Sequence, residues 1–262
     1  MSGRLRHDGR RSQDPEGRGT HVRYAILGDI HSNIEALDAV LEAVARERPD
    51  AVLCTGDLVG YGAAPRECVR RIRELAPAGL VAGNHDWAAS GRLGLEFFNA
   101  YARESILWTR ARLSRDELEY LGSHPPLVVA HGITIAHGTV HDAEQFDYLQ
   151  SSYDAHLSFT HMTTRYGFVG HSHVPVTFKN GALITYSLGE EVDVSQAAKA
   201  LINVGSVGQP RDEDPRAAYG IFDDVACTVV IKRVEYDVDA SIARIREAGL
   251  PEFLGERLRI GR

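Results

Sequence analysis

The stretch VRYAILGDIHSNIEALDAVLEAVARERPDAVLCTGD (22–57) decides the fold. Its opening, VRYAILGD (22–29), is a short apolar run that reaches Gly28, the mark of a buried strand. Ile34, Leu37, Val40, Leu41 and Val44 then recur at helical spacing. A helix is therefore predicted over 34–50, capped by Ser32 or Asn33 and ended by Pro49. AVLCTGD (51–57) reads as a second strand. A helix over 65–75, with Pro65 in its first turn, and a short strand and loop over 80–86 continue the rhythm. The result is a βαβαβ unit, which requires a parallel sheet with right-handed crossovers.

Outward from that unit, helices are expected over 94–112 and 114–123, the second with Ser114 and Glu117 at capping-box spacing. The chain then turns to strands, expected over 126–130, 133–138, 168–173, 176–178, 183–187, 200–205, 219–223 and 227–236. Asn180-Gly181 marks a hairpin turn, and a helix over 238–249 closes the chain. The arrangement these elements imply is two sheets face to face with helices outside. Residues 1–21 are polar, rich in Arg and Gly and without apolar periodicity, so they are expected to form a flexible tail before a single domain over 22–262.

Composition narrows the function classes. Across 262 residues, 44% are hydrophobic and 25% charged, which excludes a mostly disordered, collagen-like or coiled-coil chain. No stretch approaches the ~20 apolar residues of a membrane span. No apolar signal region opens the chain, so a cytoplasmic protein is expected. The net charge of −7 weighs against non-specific binding to nucleic acid or anionic membranes. Cys54, Cys68 and Cys227 are far apart and are read as free thiols.

The chemistry concentrates in GDIH (28–31), GD (56–57), GNHD (83–86), AHG (136–138) and GHSH (170–173). Each places an Asp, Asn or His just past a predicted strand, the edge of an α/β sheet where ligands bind. The candidate metal ligands are Asp29, His31, Asp57, Asn84, His137, His171 and His173. All are oxygen or nitrogen donors, which suits a catalytic divalent ion rather than a structural thiolate site. Seven ligands suit two ions, and a carboxylate can bridge them where a neutral imidazole cannot. His131 also precedes a glycine, but His131-Gly132 reads as a turn between strands while His137 ends one. His141 reads as a surface-loop histidine. Asn33 is read as a helix cap or a substrate contact, and Tyr61 as a platform for substrate or loop packing. Ser206 and Arg211 share the loop GSVGQPR (205–211), where Arg211 can hold a phosphate oxygen or make a surface ion pair.

GDIHSN (28–33), GDLVGYG (56–62), GNHD, AHG and GHSHVP (170–175) together resemble the motif series of the calcineurin-like metallophosphoesterase superfamily. INVGSVGQPRD (202–212) resembles the loop that ends the series in its small prokaryotic members. The resemblance implies a four-layer α/β/β/α sandwich of two mixed sheets flanked by helices. It assigns Asp29, His31, Asp57 and His173 to a first metal. Asp57, Asn84, His137 and His171 go to a second, with Asp57 as the bridge. His85 matches the catalytic histidine and Asp86 is placed to orient it. Asn33, Tyr61, Ser206 and Arg211 are the candidate substrate contacts. The implied cofactors are two divalent ions drawn from Mn, Fe, Zn, Co or Ni, with Mn favoured. The implied activity is hydrolysis of phosphate esters by a phosphodiesterase or broad-specificity enzyme, through a hydroxide that bridges the metals. The partner is a phosphate-ester substrate, a nucleotide among the options, with no membrane or protein partner evident. The alternatives are a metal-binding scaffold with little activity, against which the His85-Asp86 pair argues, and a phosphomonoesterase or protein phosphatase. Leu58-Val59-Gly60, where protein phosphatases carry Arg beside the Gly-Asp pair, argues against the latter.

Overall fold

The computed structural model describes residues 21–262. The tail expected over 1–21 lies outside the described residues except for His21, whose ring meets the Asp223 carboxylate at 2.8 Å. The first third follows the expected alternation: β1 (Arg23–Leu27), α1 (Ile34–Glu47), β2 (Ala51–Cys54), α2 (Pro65–Leu75) and β3 (Gly79–Leu80). Three helices follow, α3 (Asn84–Ser90), α4 (Ala100–Arg110) and α5 (Arg115–Ser123). Then come β4 (Leu127–Ala130), β5 (Ile133–Ala136), α6 (Ser152–His161), β6 (Tyr166–Val169), β7 (Val176–Asn180) and β8 (Ile184–Ser187). The chain closes with β9 (Glu191–Asp193), β10 (Lys199–Asn203), β11 (Ala217–Asp223), β12 (Thr228–Val234), α7 (Val238–Glu247) and α8 (Glu252–Glu256).

Two six-stranded sheets result, in the orders β3-β2-β1-β11-β12-β9 and β4-β5-β6-β10-β7-β8. Both are mixed. β3, β2 and β1 run parallel and the rest of the first sheet antiparallel. In the second sheet β5, β6 and β10 run parallel between antiparallel flanks. The protein is thus the α/β sandwich of two mixed sheets with helices outside.

Strand periodicity of two sends alternate side chains to two different cores. From β1, Tyr24 and Ile26 enter the space between the sheets, where they meet Leu53, Ile135, Phe168, Ile202 and Phe222. Ala25 and Leu27 face the other way, against Leu37, Val40 and Val44 of α1 and Val69 and Ile72 of α2. On the far side of the second sheet, Val169, Phe178 and Leu201 pack against Ala155 and Phe159 of α6. No helix among the described residues is long and apolar enough to cross a membrane.

Several elements depart from the sequence reading. The segment read as strand and loop over 80–86 is a two-residue strand followed by a helix that begins at Asn84. The helix expected over 94–112 is confined to Ala100–Arg110. β9, α6 and α8 had no predicted counterpart. α6 is rich in Ser, Thr and His, so its apolar face is weak, yet Ser151 and Asp154 form a capping box at its start. At its other end the Lys199 ammonium donates to the Phe159 carbonyl at 2.7 Å, a cation at a helix C-terminus. The His131-Gly132 turn is as expected, with φ of 53° and 73° between β4 and β5.

Phe168 is fully buried between the sheets and meets Phe222 with ring centroids 5.6 Å apart. Phe168→Ala should destabilise the protein by about 3–5 kcal/mol, read from the urea midpoint at unchanged slope.

Candidate metal centre

The loops that leave the parallel strands converge on one floor. Asp29 and His31 follow β1, Asp57 follows β2, His137 follows β5, and His171 and His173 follow β6. Asn84 and His85 open α3. Asp29, His31, Asp57, His137 and His173 are at most 1% exposed. Their backbone is unusual: Asp29, His31, Asp57, His171 and His173 all have φ between 47° and 69°. Such left-handed residues cost about 1–3 kcal/mol each and cluster at functional sites. The flanking backbone comes very close. A Cβ on Gly83 would lie 2.0 Å from Asp57 Oδ1, and one on Gly170 2.7 Å from Asp29 Oδ2. Only glycine fits at either position.

Two donor sets meet at one oxygen. Asp57 Oδ2 lies 3.5 Å from His31 Nε2 and 3.3 Å from His137 Nε2. On the first side, His31 Nε2 faces His173 Nε2 at 3.0 Å, and His173 Nε2 faces Asp29 Oδ1 at 3.5 Å. On the second, His137 Nε2 is 3.1 Å from both Asn84 Oδ1 and His171 Nδ1. Donors about 2.1 Å from a shared cation stand about 3.0–3.4 Å apart. These separations therefore fit a divalent ion on each side, and Asp29 Oδ2, buried without a hydrogen-bond partner, adds a free acceptor. The ring nitrogens are aimed by the backbone. Nδ1 of His31, His137 and His173 faces the carbonyls of Val59, Thr55 and Gln209 at 3.0, 2.7 and 2.6 Å. Donation there leaves each Nε2 lone pair pointing at the floor.

Burial dominates the electrostatics. It raises the Asp29 carboxyl to about 7, with the Asp57 charge adding to the rise and His137 opposing it. Burial also holds His31, His171 and His173 well below the ordinary imidazole range. His85 is drawn down to about 4 by burial, against the attraction of Asp57. For Asp57, burial is outweighed by His137, His85 and His31, which keep it ionised. His137 is the other exception: burial resists its charge, but Asp57 and Asp29 raise it to about 9. Without a cation, the His137 proton is the internal countercharge to Asp57.

Above the floor opens a cleft of about 420 Å³. Tyr61, His85 and Arg211 line it. Tyr61 packs on His31 and His85 with ring centroids 4.6 and 4.5 Å apart. The assignments of Asp86 and Ser206 are corrected, and of the two readings of Asn33 the structure shows the helix cap. Asp86 does not reach the His85 ring: its Oδ1 accepts from the Leu58 and Val59 amides and its Oδ2 from the Gly83 amide. It shapes the Asp57 loop and starts α3, and His85 Nδ1 is left without a partner. Asn33 is buried, accepts the Ala36 amide as the α1 cap and donates to the Gly208 carbonyl. Ser206 is fully buried and donates to the Asp29 carbonyl at 2.7 Å. Neither can touch substrate. His141 faces Ser158 rather than the cleft. Phe97, Phe98 and Tyr148 also line the cleft, from segments with no periodicity to announce them.

The profile of the calcineurin-like phosphoesterase superfamily domain matches residues 22–224. An uncharacterized protein from Methanocaldococcus jannaschii is 39% identical over 244 residues, which span 91% of this chain and 98% of its own length. A symmetrical bis(5′-nucleosyl)-tetraphosphatase from Psychromonas ingrahamii is 41% identical over 63 residues, 23% of each chain. A metallophosphoesterase structure from Sphaerobacter thermophilus superposes with a TM-score of 0.83 at 41% identity, covering 93% of this chain and 100% of its own. A hypothetical protein from Pyrococcus horikoshii shares the fold, with a TM-score of 0.75 at 21% identity and coverage of 92% and 99%.

The buried charges set a pH dependence for the metal-free protein. His137 is raised from 6.5 to about 9, so its stabilisation is complete below pH 6.5 and lost as pH rises through 9. Asp29, raised from 3.8 to about 7, also binds its proton more tightly in the folded state, so stability falls further as pH rises to 7. The lowered His31, His85, His171 and His173 act the opposite way up to the ordinary imidazole range, so the melting temperature of dialysed, metal-free protein should fall above it, between about pH 7.5 and 9. His137→Asn should flatten that slope in a thermal melt series; an unchanged slope places the proton elsewhere.

Proposed function

The chain belongs to the calcineurin-like phosphoesterase superfamily and is a phosphoric ester hydrolase, and we propose that it cleaves phosphodiesters, or phosphate esters broadly, with two divalent ions at this floor. The observation that carries the proposal is Asp57 Oδ2, which faces His31 and His137, members of separate buried donor sets. In this reading Asp29, His31, Asp57 and His173 hold one ion. Asp57, Asn84, His137 and His171 hold the other. When bound, the ions supply Lewis-acid charge to the phosphate and a water of lowered pKa. An all-O/N donor set without thiolate suits manganese among the options.

The remaining work falls to the chain. Asp57 concentrates negative charge where both cations share it, and its Oδ1 is held by the His85 amide at 2.9 Å. His85 lines the cleft with a neutral ring, so it donates a hydrogen bond to a leaving oxygen rather than bringing a full positive charge. Arg211 lines the same wall as His173 and can hold a non-bridging phosphate oxygen. The cleft admits an organic group beside the phosphorus, which favours esters larger than a free monoester. Phe97, 95% exposed, and Tyr148, stacked on His171 at 4.0 Å, offer aromatic faces to an aryl group or nucleobase.

Two measurements test this. Elemental analysis of manganese-loaded protein should find two ions per chain. Asp57→Asn should lower both, whereas Asp29→Asn should lower mainly one. Full retention in Asp57→Asn excludes it as the bridge. Second, His85→Ala should keep both ions and lose about 10²–10⁴-fold in kcat on aryl phosphodiesters. The loss should grow with the pKa of the leaving group, because a poor leaving oxygen needs the hydrogen bond most. A flat series would leave His85 with phosphate positioning alone.

A further inference from the structure

We infer that Gln209 is a positioning residue for phosphate, whose amide oxygen holds the Arg211 guanidinium at the cleft without cancelling its charge. This deepens, and rests on, the reading of Arg211 as the group that holds a non-bridging phosphate oxygen. Gln209 is 1% exposed, and its backbone is tied to two residues of the floor. Its amide donates to Ser206 Oγ at 2.8 Å, and that hydroxyl donates to the Asp29 carbonyl. Its carbonyl faces His173 Nδ1 at 2.6 Å. The preceding Gly208 amide also donates to the Asp29 carbonyl, at 3.0 Å, and the Gly208 carbonyl accepts from Asn33 Nδ2. Gln209 is therefore fixed relative to Asp29 and His173, the residues read as ligands of one ion.

The side chain passes that rigidity to Arg211. Gln209 Oε1 accepts from Arg211 Nη2 at 2.9 Å. A guanidinium has donors only, so the amide must present its oxygen. Arg211 is half-buried and lines the cleft with His173, whose carbonyl accepts the Arg211 amide at 3.3 Å. Its guanidinium carbon lies 5.7 Å from the centre of the Tyr61 ring. Among the described residues no carboxylate lies within ion-pair distance of it. The next two acids along the chain are engaged elsewhere: Asp212 pairs with Arg233 and Glu213 with Arg262. The positive charge of Arg211 therefore stays available to an anion in the cleft. A carboxylate at position 209 would hold the guanidinium too, but it would neutralise it. A neutral amide does the first without the second. Arginine has many rotamers to lose on binding, and an arm fixed beforehand has fewer left to lose when phosphate arrives.

A double-mutant cycle tests this, read by calorimetric titration of the manganese-loaded full chain with inorganic phosphate. Arg211→Gln should weaken binding by about ten-fold or more, the size of one charge-assisted hydrogen bond. Gln209→Met, which keeps the length of the side chain and removes the acceptor, should weaken it by about three- to ten-fold. In the Arg211→Gln background the same change should cost under about 1.5-fold, because Gln209 acts through the guanidinium. Gln209→Asn, one methylene shorter and so out of reach of Nη2, should repeat the pattern, and it carries the test if Gln209→Met does not fold. Unchanged binding in the Gln209 variants beside a weakened Arg211→Gln overturns the positioning role and leaves Arg211 its phosphate contact. Equal loss in both backgrounds marks a structural role and also overturns it. Unchanged binding in Arg211→Gln, or no phosphate binding by the unaltered chain, removes the Arg211 reading and the inference with it. Hydrolysis of bis(p-nitrophenyl) phosphate by the unaltered chain is read in parallel. Its absence removes the diesterase reading, and the phosphate cycle still decides Gln209.

Discussion

Asp57 is a carboxylate buried where water cannot share its charge, and its two oxygens have different work. Oδ1 accepts the His85 amide, and Oδ2 faces His31 and His137. A buried carboxylate is tolerated only when it is paired and hydrogen-bonded. The surroundings meet that requirement with amides and imidazoles drawn from β-strand ends on both sheets. The left-handed backbone at Asp29, His31, Asp57, His171 and His173 follows from it, since the chain must turn sharply to aim each side chain inward at once.

Such a floor is strained and electrostatically unfavourable in isolation. The sandwich around it supplies the stability. Phe168 and Ile202 of the second sheet interlock with Ile26, Leu53 and Phe222 of the first, all fully buried. β1, β2, β5 and β6 are short, so their stiff ends deliver Asp29, Asp57, His137 and His171 with little freedom between core and site. The register between β5, β6 and β10 brings His137 and the His171 loop together, tied by the Gly170 amide donating to the His137 carbonyl at 2.8 Å.

The C-terminal segment extends the site rather than merely closing the fold. Ser241 of α7 donates to Asn33 Oδ1 at 3.0 Å, and Asn33 in turn donates to the Gly208 carbonyl. One side chain thereby links α1, α7 and the loop that carries Arg211. Leu254 and Leu258 pack against the same cluster as Tyr61. The wall of the cleft therefore depends on residues that lie far from the motif series along the chain.

Much of this was legible before any coordinates. Period-two and helical spacing located β1, α1, β2 and α2, because local patterns of burial repeat at the period of the backbone. The glycine-flanked Asp, Asn and His fragments marked the floor residues, because a polar side chain after a buried strand is conspicuous in one dimension. Chain order also separated His137 from His131, since one ends a strand and the other sits in a two-residue turn. The sequence could not reveal which polar groups were already satisfied. Asp86 and Ser206 read as functional from their neighbours, but folding gives their hydrogen bonds to backbone groups, for Ser206 the Asp29 carbonyl 177 residues away. Nor could it place α6, whose apolar face becomes evident only against the second sheet. By itself the sequence determined the fold class and the residues of the floor, since both are written in local spacing. Tertiary structure decided the partners of each side chain, because contact between distant segments depends on how the two sheets pack.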